Sequence, residues 1–291
     1  MTSKSLTAGD LPKLVIDSDT ANEIDDHYAI IRMIFQDKYE VVGLTSAQWF
    51  HYLGDANSVE ASQRENENLL RLLGRTDLPV PMGASRPMGK PWGGTDAKDS
   101  PAARFIIEQA KKLGDGEFLT VCCTGATTNV ASAIKIAPEI ASKIKLYLMG
   151  YRHDPLTGVW DKSEFNIRRD LNAADFLLNH ADVEMHVMSA TVSLALRFDR
   201  TETKKRCEAL GPVGDYLVAR WDEHASENQV RIMWDLALVE AMLVDDLATE
   251  KLYDTPPENT QRKIHVYDTI DAKGMESDFW KVATEGIAAV R

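Results

Sequence analysis

The chain has 291 residues, 44% hydrophobic and 27% charged, which suffices to bury a full core as one large domain or two small ones. A formal net charge of −12 argues against general binding to nucleic acid or to an anionic membrane. No apolar run approaches the ~20 residues of a membrane span, the polar start at residues 1–10 lacks a signal-peptide core, and three cysteines make no disulfide framework, so the cytoplasm is the expected location.

Leu14, Val15 and Ile16 read as a short buried strand, and Tyr28 to Phe35 carry a helix-like apolar pattern. Between them lie five acids: Asp17, Asp19, Glu23, Asp25 and Asp26. Strand end followed by helix start is where open α/β sheets bind ligands. Carboxylates this close repel, and burying them uncompensated costs several kcal/mol per charge. A helix N-terminus returns only ~0.3–1 kcal/mol per group. A cation is the sufficient partner, and a carboxylate set without Cys or His selects a hard one, Ca²⁺ or Mg²⁺. A solvated acidic turn with Asp25 or Asp26 as helix caps is the plainer alternative.

Residues 39–45 form a second strand that runs into the aromatic loop Ala47-Gln48-Trp49-Phe50-His51. Residues 58–73 carry apolar positions closed by Gly74, although the first part is polar for a helix core. Residues 78–83 read as a short extended piece, and 83–101, rich in Gly and Pro, as a long loop whose Trp92 either covers a ligand or pins the loop. A helix follows over 102–113, then a buried strand over 118–123 in which Cys122 and Cys123 read as small hydrophobes. Thr124-Gly125-Ala126-Thr127-Thr128-Asn129 opens a helix that Pro138 ends, and residues 144–149 form a strand ending at Gly150. Beyond Ser163-Glu164-Phe165-Asn166-Ile167 come a helix over 170–178 and a strand over 183–188. Residues 211–250 look helical throughout, with Trp234 and Asp235 inside; 263–267 reads as a strand, and 279–290 as a closing strand. Alternating strands and helices predict one α/β domain over residues 1–291, an open, mostly parallel sheet with helices on both faces.

The motifs together resemble the nucleoside hydrolases, metal-dependent N-ribosidases of the inosine/uridine-preferring type. These are Asp17-Ser18-Asp19 with Asp25-Asp26, Thr124-Gly125-Ala126-Thr127-Thr128-Asn129, Met149-Gly150, Glu164-Phe165-Asn166 and Asp235, in that order over about residues 13–250. The resemblance implies a Rossmann-like nucleoside hydrolase fold and hydrolysis of a ribonucleoside to ribose and free base. It also implies a role in purine or pyrimidine salvage and a homodimer or homotetramer. By position, Asp19, Asp26 and Asp235 would ligate Ca²⁺ by carboxylate and Thr124 by its backbone carbonyl. Asp19 would take a proton from the attacking water, Asp25 would bind a ribose hydroxyl, and Glu164, Asn166 and Met149 would hold the sugar, with Asp17 in support.

The chain departs from the family pattern at four places. Five residues, Thr20 to Ile24, separate Asp19 from Asp25, where the common form has three. Trp234 stands where many members have a His that protonates the leaving base, so stacking on tryptophan or another acid is expected to serve. The loop after the second strand lacks the usual Asn, and Gly158-Val159-Trp160 replaces an Asn expected before Glu164. His27, His51 and His153 are candidate acids, although surface or capping histidines are commoner. Two other readings compete. One is a nucleoside- or ribose-binding relative that does not turn over. The other is a haloacid-dehalogenase-type phosphatase, against which Ala21 and the later motifs speak.

Overall fold

Side chains alternate across β1 (Lys13–Ser18), sending Leu14 and Ile16 into one apolar core and Val15 into another. A strand buried on both faces needs a helix layer over each. The computed structural model describes residues 11–290; the polar start at residues 1–10 lies outside them.

After β1 come α1 (Asp25–Ile34), β2 (Glu40–Ser46), α2 (Ser58–Leu72), α3 (Pro101–Lys112), β3 (Leu119–Cys123), α4 (Thr128–Ile136) and β4 (Ile144–Met149). A small hairpin follows, β5 (Arg152–Asp154) and β6 (Val159–Asp161), then α5 (Phe165–Arg169), α6 (Leu171–Leu178), β7 (Glu184–Met188) and α7 (Ala190–Ser193). The remainder is β8 (Arg197–Asp199), α8 (Arg200–Cys207), α9 (Pro212–Ala225), β9 (Val230–Ile232), α10 (Trp234–Leu243), β10 (Ala248–Asp254), β11 (Lys263–Ile270) and α11 (Ala272–Ala289). None of the described helices is long and apolar enough to cross a membrane.

The main sheet has seven strands in the order β10-β11-β7-β4-β3-β1-β2, parallel throughout except for β10, which runs antiparallel to β11. This is the expected mixed, mostly parallel α/β architecture. One face packs against Ile30 of α1, Leu69 of α2, Leu238 of α10 and Phe279 of α11. The other packs against Ile106 of α3, Val130 of α4 and Leu177 of α6. Because β1 pairs with both β2 and β3, while α1 and α4 leave toward opposite faces, a crevice opens at the carboxyl ends of β1 and β3.

Three expectations are corrected. The helical run over 211–250 is broken: α9 ends, the chain crosses as β9 against β8, and α10 begins afresh at Trp234 before β10 takes residues 248–254. Residues 279–290 belong to α11 and not to a strand, because Met275, Phe279, Ala283 and Ile287 recur every fourth residue and are all buried. Trp92 is 82% exposed, so it does not pin its loop. Cys122 and Cys123 are buried free thiols, and burial pushes Cys122 up to about 12, as befits core residues.

Candidate active site

The crevice is a cleft of about 600 Å³ walled by Asp19, Asn22, Glu23, Asp25, Asp26, Thr124, Met149, Glu164, Asn166, Trp234 and Asp235, together with Arg152, Phe165 and Ala190. Every catalytic, sugar-binding and metal-ligating residue that the family resemblance implies therefore lines one cavity. The acidic loop is not a solvated turn. Asp17 and Asp19, like Asp25 and Asp26, are at most 2% exposed. Nor does either acid of the pair cap α1: both lie inside its first turn, and Ile24 is the N-cap residue without a side-chain cap bond.

Each acid is placed by a different element. Asp17, at the end of β1, accepts from Thr45 Oγ1 at 2.7 Å and from Asn129 Nδ2 at 2.8 Å, and so ties β1 to β2 and α4. Burial raises its pKa to about 6, against the lowering effect of these bonds. Asp26 Oδ1 accepts from Ser18 Oγ at 2.5 Å and Thr124 Oγ1 at 2.8 Å. Asp235, in the first turn of α10, donates its backbone N–H to Asp25 Oδ2 at 3.1 Å. Asp19 approaches the β3 end because Gly125 has no side chain. A Cβ there would lie 2.8 Å from the Ala47 Cβ and 3.0 Å from the Asp19 Cβ.

Carboxylate oxygens of Asp25, Asp26 and Asp235 lie within 4.8 Å of one another, a candidate acidic metal site. This grouping brings in Asp25, which the resemblance assigned to the ribose, while Asp19 stands on the same wall outside that tight trio. Burial, then mutual repulsion, drives the Asp19 and Asp235 pKa values well above the ordinary carboxylate range, and burial with the Asp25 charge lifts Asp26 to about 8. Asp19 Oδ2 and Asp25 Oδ1 are buried without a hydrogen-bond partner. Buried oxygens left unpaired among like charges are what a hard divalent cation would satisfy, so the donor set fits such an ion.

Asn166 Nδ2 donates to the carbonyls of Thr124 (3.1 Å) and Met149 (3.2 Å), joining α5 to the ends of β3 and β4. Glu164 spends one oxygen capping α5 through Ile167 N at 3.1 Å, and burial raises its pKa. The longer loop does enter the site: Asn22 and Glu23 both line the cleft, and Glu23 pairs with Arg231 of β9. The candidate histidine acids do not. His27 is buried beside Tyr216, His51 is exposed, and His153 is enclosed by Trp160 and Tyr253; none lines the cleft. Sequence reasoning passed over Arg152 and Arg231. Arg152 follows Met149-Gly150 by two residues and opens β5, just past the end of β4.

A profile of the inosine-uridine preferring nucleoside hydrolases matches residues 14–279. The chain belongs to this nucleoside hydrolase family. Among its relatives is the probable uridine nucleosidase 2 of Arabidopsis thaliana, 27% identical over 273 residues, which cover 84% of this chain and 81% of that protein. Another is the pyrimidine-specific ribonucleoside hydrolase RihA of Escherichia coli, 28% identical over 226 residues, 71% of this chain and 68% of the relative. A purine-preferring ribonucleoside hydrolase from Gardnerella vaginalis has the same fold, with a TM-score of 0.73 at 22% identity over 95% of this chain and 99% of that one. With this membership the nucleoside hydrolase expectation holds, and nothing favours the phosphatase or the non-hydrolytic alternative.

Proposed function

We propose that the chain hydrolyses the N-glycosidic bond of a ribonucleoside in this cleft with the help of Ca²⁺. The observation that carries the reading is the meeting of Asp235 with Asp25 and Asp26, residues from opposite ends of the chain, as buried carboxylates. Asp19, Asp26, Asp235 and the Thr124 carbonyl hold the ion. When bound, a hard divalent cation polarises water toward deprotonation and orients sugar hydroxyls. Asp19, with its unpaired buried oxygen, takes the proton of the attacking water. Asp25 accepts from a ribose hydroxyl. The Asn166 amide, fixed by its two donated bonds, turns its Oδ1 to the sugar beside Glu164 and the Met149 backbone. The negative wall stabilises the positive charge that develops on the sugar as the bond to the base breaks. Trp234, Asn22 and Glu23 surround the leaving base, with the indole orienting the ring.

The single domain over residues 1–291 acts in the cytoplasm in nucleoside salvage, as a homodimer or homotetramer, to be measured by light scattering. The deciding assay is reducing-sugar release from uridine, cytidine, inosine, guanosine and adenosine, with and without chelator. Release that chelation abolishes and Ca²⁺ restores is expected, and D235N should lower it at least ~100-fold, since even groups outside the metal's own ligands change activity by 10–100-fold. Nucleoside binding with no sugar release from any of the five would overturn the assignment.

A further inference from the structure

A second group of metal-type donors lies away from the cleft, at the β10 edge of the sheet. His186 of β7 and His265 of β11 are register partners in adjacent parallel strands, so their rings leave the same face and stack, with centroids 4.4 Å apart and planes 16° apart. Glu250 of β10 reaches both: Oε1 lies 2.7 Å from His186 Nδ1, and Oε2 lies 2.9 Å from His265 Nδ1. One ligand atom from each of the three falls within 4.8 Å of the others. None of the three lines the acidic cleft.

We propose that His186, His265 and Glu250 form a second metal site, for a borderline transition cation such as Zn²⁺. The donor chemistry separates it from the first site. Imidazole nitrogens with a single carboxylate suit zinc and its neighbours, whereas an all-oxygen set suits calcium or magnesium. Ligand atoms on a tetrahedral zinc stand ~3.3 Å apart, given bonds of ~2.0–2.2 Å. The observed N···O separations of 2.7 and 2.9 Å would need to open by about half an ångström to reach that spacing.

The surroundings fit as well. His186 Nε2 lies 3.0 Å from Glu184 Oε1, and Lys145 Nζ lies 3.1 Å from the same oxygen. A histidine bound to metal usually donates its other ring N–H to a carboxylate, which fixes the tautomer and aims the free nitrogen at the ion. That support is already built here, and Tyr147, stacked on His186 at 4.3 Å, holds the ring plane. Solvent reaches the cluster from one side: the His186 side chain is 9% exposed, Glu250 25% and His265 37%. The remaining coordination position is therefore open to water. A bound ion would cross-link β7, β11 and β10, at the sheet edge where β10 pairs antiparallel with β11.

The test uses the full chain, stripped with chelator, its acidic cleft filled with excess Ca²⁺, and titrated calorimetrically with ZnCl₂. One zinc per chain is expected, and Co²⁺ in its place should give the intense visible bands of a four-coordinate ion. H265A and E250Q should each weaken zinc at least tenfold, and E184Q by up to tenfold. D235N, in the acidic cleft, should leave zinc affinity within twofold. His265 is more than a third exposed, so H265A is expected to melt as a folded protein; E250Q, which keeps the side-chain shape, gives the same readout independently. The site is disproved if the wild-type chain takes up no zinc, the three residues being then only a hydrogen-bonded staple, or if D235N abolishes uptake while H265A and E250Q leave it intact.

Discussion

At the scale of single residues, the base end of the cleft is where this chain departs most from its family. Trp234 opens α10 immediately before Asp235, so the side chain proposed to face the departing base is fixed by the same helix turn that presents a carboxylate to the trio. Stacking of a base on an aromatic face is worth ~1–3 kcal/mol. W234A should therefore raise KM by about 5- to 150-fold, with W234F restoring most of the loss; equal KM values for all three proteins would remove the indole from substrate contact. The acids were legible from the sequence because five carboxylates directly after a buried strand have few physical explanations. Arg231 was not, because its meaning comes from Glu23, 208 residues away along the chain.

At the scale of elements, strands carrying an apolar run announced themselves, while short or edge strands without one did not. β10 alternates exposed and half-buried residues along the sheet edge, and its sequence, Ala-Thr-Glu-Lys-Leu-Tyr-Asp, carries no apolar run. The break between α9 and α10 was equally hidden, since β9 is only three residues long and pairs with β8, itself a three-residue strand. The closing helix was misread for a different reason: its apolar content was noticed but its period was not. Tight packing at the β3–α4 turn leads to a prediction at this scale. In G125A the added methyl group meets Ala47 and Asp19, and a displacement of about 1 Å at a catalytic group can cost ~100-fold. A large fall in kcat is expected, beyond a loss of stability of ~1–3 kcal/mol from overpacking; unchanged kcat would show that Asp19 tolerates the shift. Asp170 gives the opposite case. It caps α6 through Ala173 N at 3.0 Å and also accepts from Met88 N at 2.7 Å and Thr128 Oγ1 at 2.6 Å. D170A should lower stability by ~2–4 kcal/mol, from the lost cap and the stranded buried donors, while turnover per folded molecule stays near wild type. A chevron or urea midpoint that does not move would refute the cap's importance.

At the scale of the whole molecule, the acidic cluster couples stability to pH and to cations. Asp26 is raised from the ordinary 3.8 to about 8, first by burial and then by Asp25. A carboxyl raised on folding contributes fully below its unfolded value and loses that contribution as pH climbs through its folded value. The stripped chain should therefore weaken between about pH 4 and pH 8. Cation binding needs the ionised form, so the added stability grows over the same interval. Melting curves at pH 5, 6.5 and 8, with Ca²⁺ or with chelator, should show a gap that widens steadily; a constant gap would uncouple the ion from these acids. The trio has one more consequence. Asp25 and Asp26 stand near the beginning of the described chain and Asp235 lies 209 residues beyond Asp26, so the clasp closes only when both ends have come home. A fragment stopping short of α10 keeps the early acids but not their partner, and should show feeble affinity for calcium. Ion uptake during refolding would then act as a clock for the last long-range docking event, keeping time with the return of activity and lagging behind the earlier appearance of helix.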